Sequence, residues 1–339
     1  MAAIEVRPLR PVDPRLLATA PAFLEQNGHE RSRRREFQPS TSSEWLYPIE
    51  NYAPKRIEVL GSFGNGRMGG RFSLLGLGSS EDHRPSTYIA DLFEQAPPLP
   101  NEGIENPSVV PQRVNIPNFL GMRIHNGYEE LDIDDAAQRA SFAADIDMRL
   151  GITTYTVLWR DSANRETQIQ LTGFFSMDNP YLAALRCTIT PKNYSSEKLK
   201  LTTEIDGRVT NNGNKYLEEE AKGEIEGGGI FYDTHTTYKE HKISLASNVK
   251  LSMNGRNVAI EPAVEEEDER ISQSVRFEAQ AGKTYTLDKV LSVYSSQDGV
   301  DDPHREAQEA LARVGNFEEV YDRHVDAWER EWEEGDVKI

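Results

Sequence analysis

Gly64, Gly66 and Gly69 stand in the spacing G-x-G-x-x-G, within GNGRMG over residues 64–69. That pattern cradles a dinucleotide pyrophosphate when a strand leads in and a helix opens on it. A strand over Ile57, Val59 and the following residues is expected to lead in. The continuation GRFSLLGLGSS has no helical period, so the glycines are read as serving close backbone approach and positive φ instead. His235 and His241 would share one face of a strand, but six residues at about 3.3 Å each hold them roughly 20 Å apart, too far for one metal. Glycosidic hydrolysis needs two carboxyls facing one cleft. The acidic runs Glu218–Glu220, Glu265–Glu269 and Glu329–Glu334 are instead expected in loops or on a wet helix face. No Gly-x-Ser-x-Gly elbow and no Walker loop occurs. Cys187 lies in an apolar alternation and reads as a small core residue. No metal, no cofactor and no self-sufficient active site are expected.

The charge balance points the same way. With 38 basic and 56 acidic residues, the 339-residue chain carries a formal charge of -18. Nucleic acid and anionic membrane both require clustered Lys and Arg and are excluded as partners. A single cysteine rules out an internal disulfide. No apolar run approaches the roughly 20 residues of a membrane span, and Pro21 interrupts the apolar patch from Leu16 to Leu24. Cytoplasmic residence is the expectation.

The elements that would position any site are mostly strands. Residues 145–213 read as four in succession. Tyr155, Val157 and Trp159 alternate with Thr154, Thr156 and Leu158; Ile169, Leu171 and Phe175 follow, then Leu185, Cys187 and Ile189, then Leu199, Leu201, Thr203 and Ile205. A period of two with short polar connections predicts antiparallel pairing with one buried face. Further strands are expected over Ile230–Tyr238, Ile243–Leu251, Asn257–Val264, Ile271–Ala279 and Thr284–Tyr294, with Glu218–Gly229 as a loop. Proline-rich residues 79–118 predict a long ordered loop or edge pieces. The segment 1–44, with HERSRRRE at 29–36, reads as a poorly ordered or extended lead-in, or as a dock for an acidic partner face. From 299 the period becomes 3.6. Asp302–Pro303 starts one helix, Gly315 breaks it, and Asn316 with Glu319 starts another whose stripe is Phe317, Val320, Tyr321, Val325, Trp328 and Trp332. The fold class is therefore mainly β: a large antiparallel sandwich over 45–298, then a helical segment over 299–339.

Several motifs resemble, in order, the N-terminal β-domain of glycoside hydrolase family 65. They are DMRLGITTYTVLWRD, FFSMDNPYLAALRCTITPKN and EIDGRVTNNG. Upstream, Glu58, Asn65-Gly66 and Arg71, then Thr87-Tyr88-Ile89-Ala90 and Asn115-Ile116-Pro117-Asn118-Phe119, extend the resemblance. Downstream, His324-Val325-Asp326-Ala327-Trp328, Trp332 and Asp336-Val337-Lys338-Ile339 are similar to the family's linker helix. The family includes maltose, trehalose, kojibiose and nigerose phosphorylases and some hydrolases. The resemblance implies a β-super-sandwich, a helical linker, a catalytic (α/α)6 barrel and a C-terminal jelly-roll. It places the general acid and the phosphate-binding or hydrolytic groups in the barrel. This chain ends where that barrel is expected to begin, so no catalytic residue is carried over. Gly173 stands where arginine is common, Arg67 where an aromatic is usual and Phe72 where glycine is usual, so linkage specificity is not carried over either.

Two functions follow as expectations. The first is a non-catalytic domain or subunit that packs on a barrel through Phe317, Tyr321, Trp328 and Trp332, shapes its active-site mouth and supports a homodimer. The second is a free-standing protein that binds α-glucoside sugars near the glycine- and proline-rich loops, with Trp45, Tyr52, Asn65, Arg67 and Phe119 as candidates.

Overall fold

The computed structural model describes residues 45–71, 86–96, 110–211 and 213–335. The lead-in with its basic run, Phe72, much of the proline-rich stretch and residues 336–339 lie outside them. The first strands are β1 (Leu46–Ile49), β2 (Ser62–Gly64), β3 (Met68–Arg71), β4 (Ser86–Ile89), β5 (Phe93–Ala96), β6 (Val110–Arg113) and β7 (Met122–His125). Long strands follow: β8 (Arg139–Asp147), β9 (Ile152–Arg160), β10 (Glu166–Phe175), β11 (Leu182–Pro191) and β12 (Ser196–Asp206). The last are β13 (Leu217–Glu224), β14 (Ile230–Thr236), β15 (Lys242–Met253), β16 (Arg256–Val258), β17 (Ala263–Glu267), β18 (Arg270–Ala279) and β19 (Tyr285–Ser295). Helix α1 (Pro54–Leu60) lies near the start, and α2 (Pro303–Ala312) and α3 (Phe317–Gly335) close the described chain.

A ten-stranded antiparallel sheet runs β1-β8-β9-β10-β11-β19-β15-β14-β13, with β16 attached to β15. A four-stranded sheet, β17-β18-β12-β7, faces it across one continuous apolar core. The alternation read in residues 145–213 is the reason. Register sets Leu171 opposite both Tyr155 and Cys187, and Cys187 opposite Leu287, so buried side chains align in a row across the sheet. Burial pushes the Cys187 thiol well above its usual range, which fits an inert core residue.

Five local expectations are corrected. Ile57 and Val59 belong to α1, not to a strand: Pro54 takes the first helical turn, and Ile57 is buried while Val59 is 64% exposed. Glu218–Gly229 is not all loop, because β13 pairs with β14; as an edge strand it needs no apolar alternation. Asn257–Val264 splits into β16 and β17 in different sheets. Pro262 lies in the gap, directly before β17, where a residue without an N–H costs no ladder bond. Glu265–Glu267 accordingly lie on the edge strand β17, not in a loop. His235 lies on β14 and His241 in the turn just before β15, not on one strand, and His241 Nδ1 is engaged by Gln297 at 2.9 Å. Among the described residues no three metal-ligating side chains converge, and no helix is long and apolar enough to cross a membrane.

Two buried charges tie the layers. Glu94 accepts from the backbone N–H groups of Gln95 at 2.7 Å and Tyr238 at 2.9 Å, holding the β5–β6 hairpin on the β14–β15 turn. Burial raises its pKa, but these donors and the Thr236 hydroxyl outweigh that and hold the carboxyl below the usual range. Lys289, 1% exposed on β19, donates to the carbonyls of Phe119 and Glu204 at 2.9 Å each. It thereby joins the large sheet to the small one. Burial drives its pKa down to about 7, against a partial opposing pull from Glu204. A neutral amine keeps two N–H donors for the two carbonyls, so deprotonation loses neither bond. The unfolded chain binds this proton up to about pH 10.4, so stability rises as pH increases from about 7 toward 10. Urea-unfolding free energies at pH 7, 8 and 9 are expected to rise in the wild type. Lys289→Met is expected to remove that rise; an unchanged slope refutes the assignment.

Candidate functional site

The glycine-rich segment is anchored by Asn65 and Arg67, both candidates from sequence. Asn65 is buried; its Oδ1 accepts from the Met68 N–H at 2.8 Å and its Nδ2 donates to the Ser176 carbonyl at 2.8 Å. Gly66 beside it takes φ +88°, so the tight connection demands glycine there. Arg67 lies over the Tyr181 ring at 4.2 Å, and Tyr181 stacks on Tyr294 at 4.2 Å with 2° between planes. Its guanidinium forks onto Asp298, with Nε donating to Oδ1 at 2.8 Å. Asp298 also accepts from the Ser295 N–H at 2.7 Å. Both candidates thus hold the β2–β3 connection on the large sheet: the Asn65 amide is bonded through both its oxygen and its nitrogen, and the one Arg67 nitrogen without a partner, Nη1, is buried.

The other sequence candidates are also engaged. Phe119 is fully buried and meets Phe175 edge-on at 6.3 Å, so it is core and not a stacking platform. Tyr52 donates to Asp134 at 2.6 Å and packs on Phe142. On α3, Phe317 and Tyr321 are buried against Phe174, at 5.7 and 6.0 Å between rings. The stripe expected to await a barrel is therefore covered, at its first half, by this domain's own sheet. His324 continues it: Nε2 donates to the Leu150 carbonyl at 2.6 Å and Nδ1 accepts from the Met177 N–H at 3.0 Å. Burial drives its pKa down to about 4 despite the pull of that carbonyl, so the ring is neutral at pH 7. Trp328 sits 3.5 Å from where a side chain on Gly151 would stand, a position held at φ +61°. Trp332 donates to the Arg149 carbonyl at 2.7 Å and packs on Trp45 at 4.8 Å. Trp45, Trp328 and Trp332 remain partly exposed.

What the separate motifs build together is a cleft of about 410 Å³ over the small sheet β2-β3-β4. Ser62, Arg71, Ser86 and Tyr88 line it, with Gln112 and Arg113 from β6 and Asn211 from the segment after β12. Asn211 Nδ2 donates to the Arg113 carbonyl at 2.7 Å, and its Oδ1 accepts from the Asn115 N–H at 3.0 Å. Asn115 in turn accepts from the Thr87 N–H at 3.0 Å. Asn115 and Asn211, read from sequence only as members of ordered motifs, are the clamps that bring three chain segments to one place. Ser62, Gln112 and Arg113 carried no sequence signal.

The family model described as "Glycosyl hydrolase family 65, N-terminal domain" matches residues 49–331. The chain belongs to glycosyl hydrolase family 65. It is 26% identical over 315 residues to a kojibiose phosphorylase of Caldanaerobacter subterraneus subsp. tengcongensis, covering 88% of this chain and 39% of that protein. It is 27% identical over 303 residues to an uncharacterized glycosyl hydrolase of Mycobacterium tuberculosis, covering 85% and 22%. An alpha,alpha-trehalose phosphorylase of Thermoanaerobacter brockii is 22% identical, with 87% and 41% covered. A solved structure titled as a putative kojibiose phosphorylase from human microbiome superposes with TM-score 0.73 at 17% identity, over 85% of this chain and 38% of that one. This family 65 chain thus spans less than half the length of these relatives.

The bond between Arg67 and Asp298 joins parts of the family 65 domain that are 231 residues apart. Removing one partner of a largely buried pair leaves the other charge uncompensated. Arg67→Ala is expected to cost about 3 kcal/mol in urea unfolding, and Arg67→Lys to recover less than half of it for want of the fork. A loss within about 0.5 kcal/mol for the alanine variant, the range of ordinary surface changes, contradicts this role.

Proposed function

We propose that the chain is the non-catalytic N-terminal part of a family 65 enzyme acting on α-linked glucose disaccharides, by phosphorolysis or hydrolysis. In this reading it packs on a catalytic barrel, in the same polypeptide or a separate one, and its loops shape the mouth of the active site. The observation that carries the reading is the alignment: 88% of this chain matches only 39% of a kojibiose phosphorylase, within the family's N-terminal domain. The attachment of α3 supports it. Buried contacts from Phe317 to His324, and the Trp332 bond to Arg149, hold the helix against the sheet along its length. A helix held so firmly sets the direction of whatever it connects to. The partly exposed Trp45, Trp328 and Trp332 at its far end are the side chains left for a barrel to cover. The free-standing sugar-binding reading has weaker support, since Phe119 is buried and Tyr52, Asn65 and Arg67 are engaged within the domain.

The chain alone is expected to show no turnover of kojibiose, trehalose, maltose or nigerose, with or without phosphate. Mixed with a family 65 barrel freed of its own N-terminal domain, it is expected to elute as a one-to-one complex in size-exclusion chromatography with light scattering. Turnover by the isolated chain that persists through repurification overturns the non-catalytic assignment. Calorimetric heats with any of these sugars at millimolar concentration favour the sugar-binding alternative.

A further inference from the structure

The cleft over the small sheet has a chemistry of its own. Register places Ser62 opposite Arg71 and Arg71 opposite Ser86. Directly opposed residues share a face, so one guanidinium stands in a row between two hydroxyls. The next row on that face is Gly64, Gly69 and Tyr88: two positions without side chains beside one aromatic ring. Of that row, the Tyr88 ring lines the cavity. Arg113 comes in from β6 with its guanidinium over the Tyr88 ring at 5.7 Å, and Asn211 holds its backbone in place.

Charge distinguishes this cleft from the rest of the surface. On a chain of net charge -18, most described arginines are committed to a carboxylate, as Arg165 is to Asp161, Arg186 to Asp288 and Arg270 to Glu204. Neither Arg71 nor Arg113 has a carboxylate partner among the described residues, and the two line one cavity. Ser86 beside them is 6% exposed, and its hydroxyl has no hydrogen-bond partner. A buried polar group left unsatisfied costs about 1–3 kcal/mol, a cost that a ligand oxygen would relieve. Guanidinium forks match the oxygens of a tetrahedral oxyanion better than any other side chain does.

We propose that this cleft binds a phosphate dianion, free or carried by a monosaccharide, with Arg71 and Arg113 on the phosphate oxygens and Ser86 as a neutral donor. The Tyr88 ring offers the surface on which a sugar would rest. This site stands independently of barrel docking, which is tested by turnover and complex formation.

The test is isothermal calorimetry and thermal unfolding of the full chain with potassium phosphate, glucose 6-phosphate and glucose, against potassium chloride at matched ionic strength. The chloride control matters because any salt relieves self-repulsion in so acidic a chain. Saturable phosphate binding with a rise in Tm beyond the chloride response is expected. Arg71→Gln and Arg113→Gln are each expected to weaken it at least tenfold. Arg113 is exposed, so its replacement leaves folding intact and keeps the test informative if the Arg71 variant misfolds. Tighter binding of glucose 6-phosphate than of phosphate, with the gain lost in Tyr88→Ala, assigns a sugar phosphate as the ligand. Equal affinities assign free phosphate. Identical responses to phosphate and chloride, or phosphate affinity unchanged in Arg113→Gln, overturn the proposal.

Discussion

The structure depends on one row of apolar side chains that crosses the large sheet from strand to strand. Ala144, Tyr155, Leu171, Cys187, Leu287 and Leu251 lie opposite one another in turn, all buried. A slip of one residue at any of these pairings would send that strand's apolar set to the wrong face. The row therefore fixes register across β8, β9, β10, β11, β19 and β15, and register then decides where the remaining side chains go. Lys289, two residues beyond Leu287, points into the same core and reaches the second sheet. Phe174, on the opposite face of β10 from Leu171 and Phe175, receives α3. One face of the sheet builds the sandwich and the other seats the helix.

Sequence reasoning succeeds where burial has a period. Strands from 152 to 206 alternate because each has neighbours on both sides and a core on one face, so the pattern survives in the residues themselves. It fails where the environment is lopsided. The edge strand β13 pairs only with β14 and carries an exposed acidic run, Glu218–Glu220, which looks like a loop on paper. Helix α1 spans only seven residues, too few to declare a period of 3.6 against one of two. The stop in Asn257–Val264 is written in a single proline that marks a change of sheet.

The same contrast holds at the site. Asn65, Arg71, Tyr88, Asn115 and Asn211 are legible as members of ordered motifs that, with the longer ones in residues 145–213, resemble the family. What they do was not legible, because their partners are distant: Asn65 bonds to Ser176, Arg67 to Asp298 and Asn115 to Asn211. Trp45 and Phe119 invited a sugar-stacking reading as aromatics near irregular segments. Burial assigns Phe119 to packing, whereas Trp45 packs on Trp332 and stays partly exposed. Aromatic identity alone cannot separate a core ring from a platform; the surroundings of the ring do.

The seam between Arg67 and Asp298 also has a consequence in time. Residues 62–71 precede most of the domain, yet the carboxylate partner of Arg67, Asp298, lies 231 positions later, with Tyr294 close to it. At synthesis rates of roughly 5–20 residues per second, the early sheet waits about 10–50 s for its partners. Contacts of such long separation also slow folding, because loop closure precedes any reward. The glycine-rich segment is thus made well before the carboxylate that secures it. Sequence features that limit its association while it waits, such as few large apolar side chains across GNGRMGG, serve assembly as much as the finished cleft.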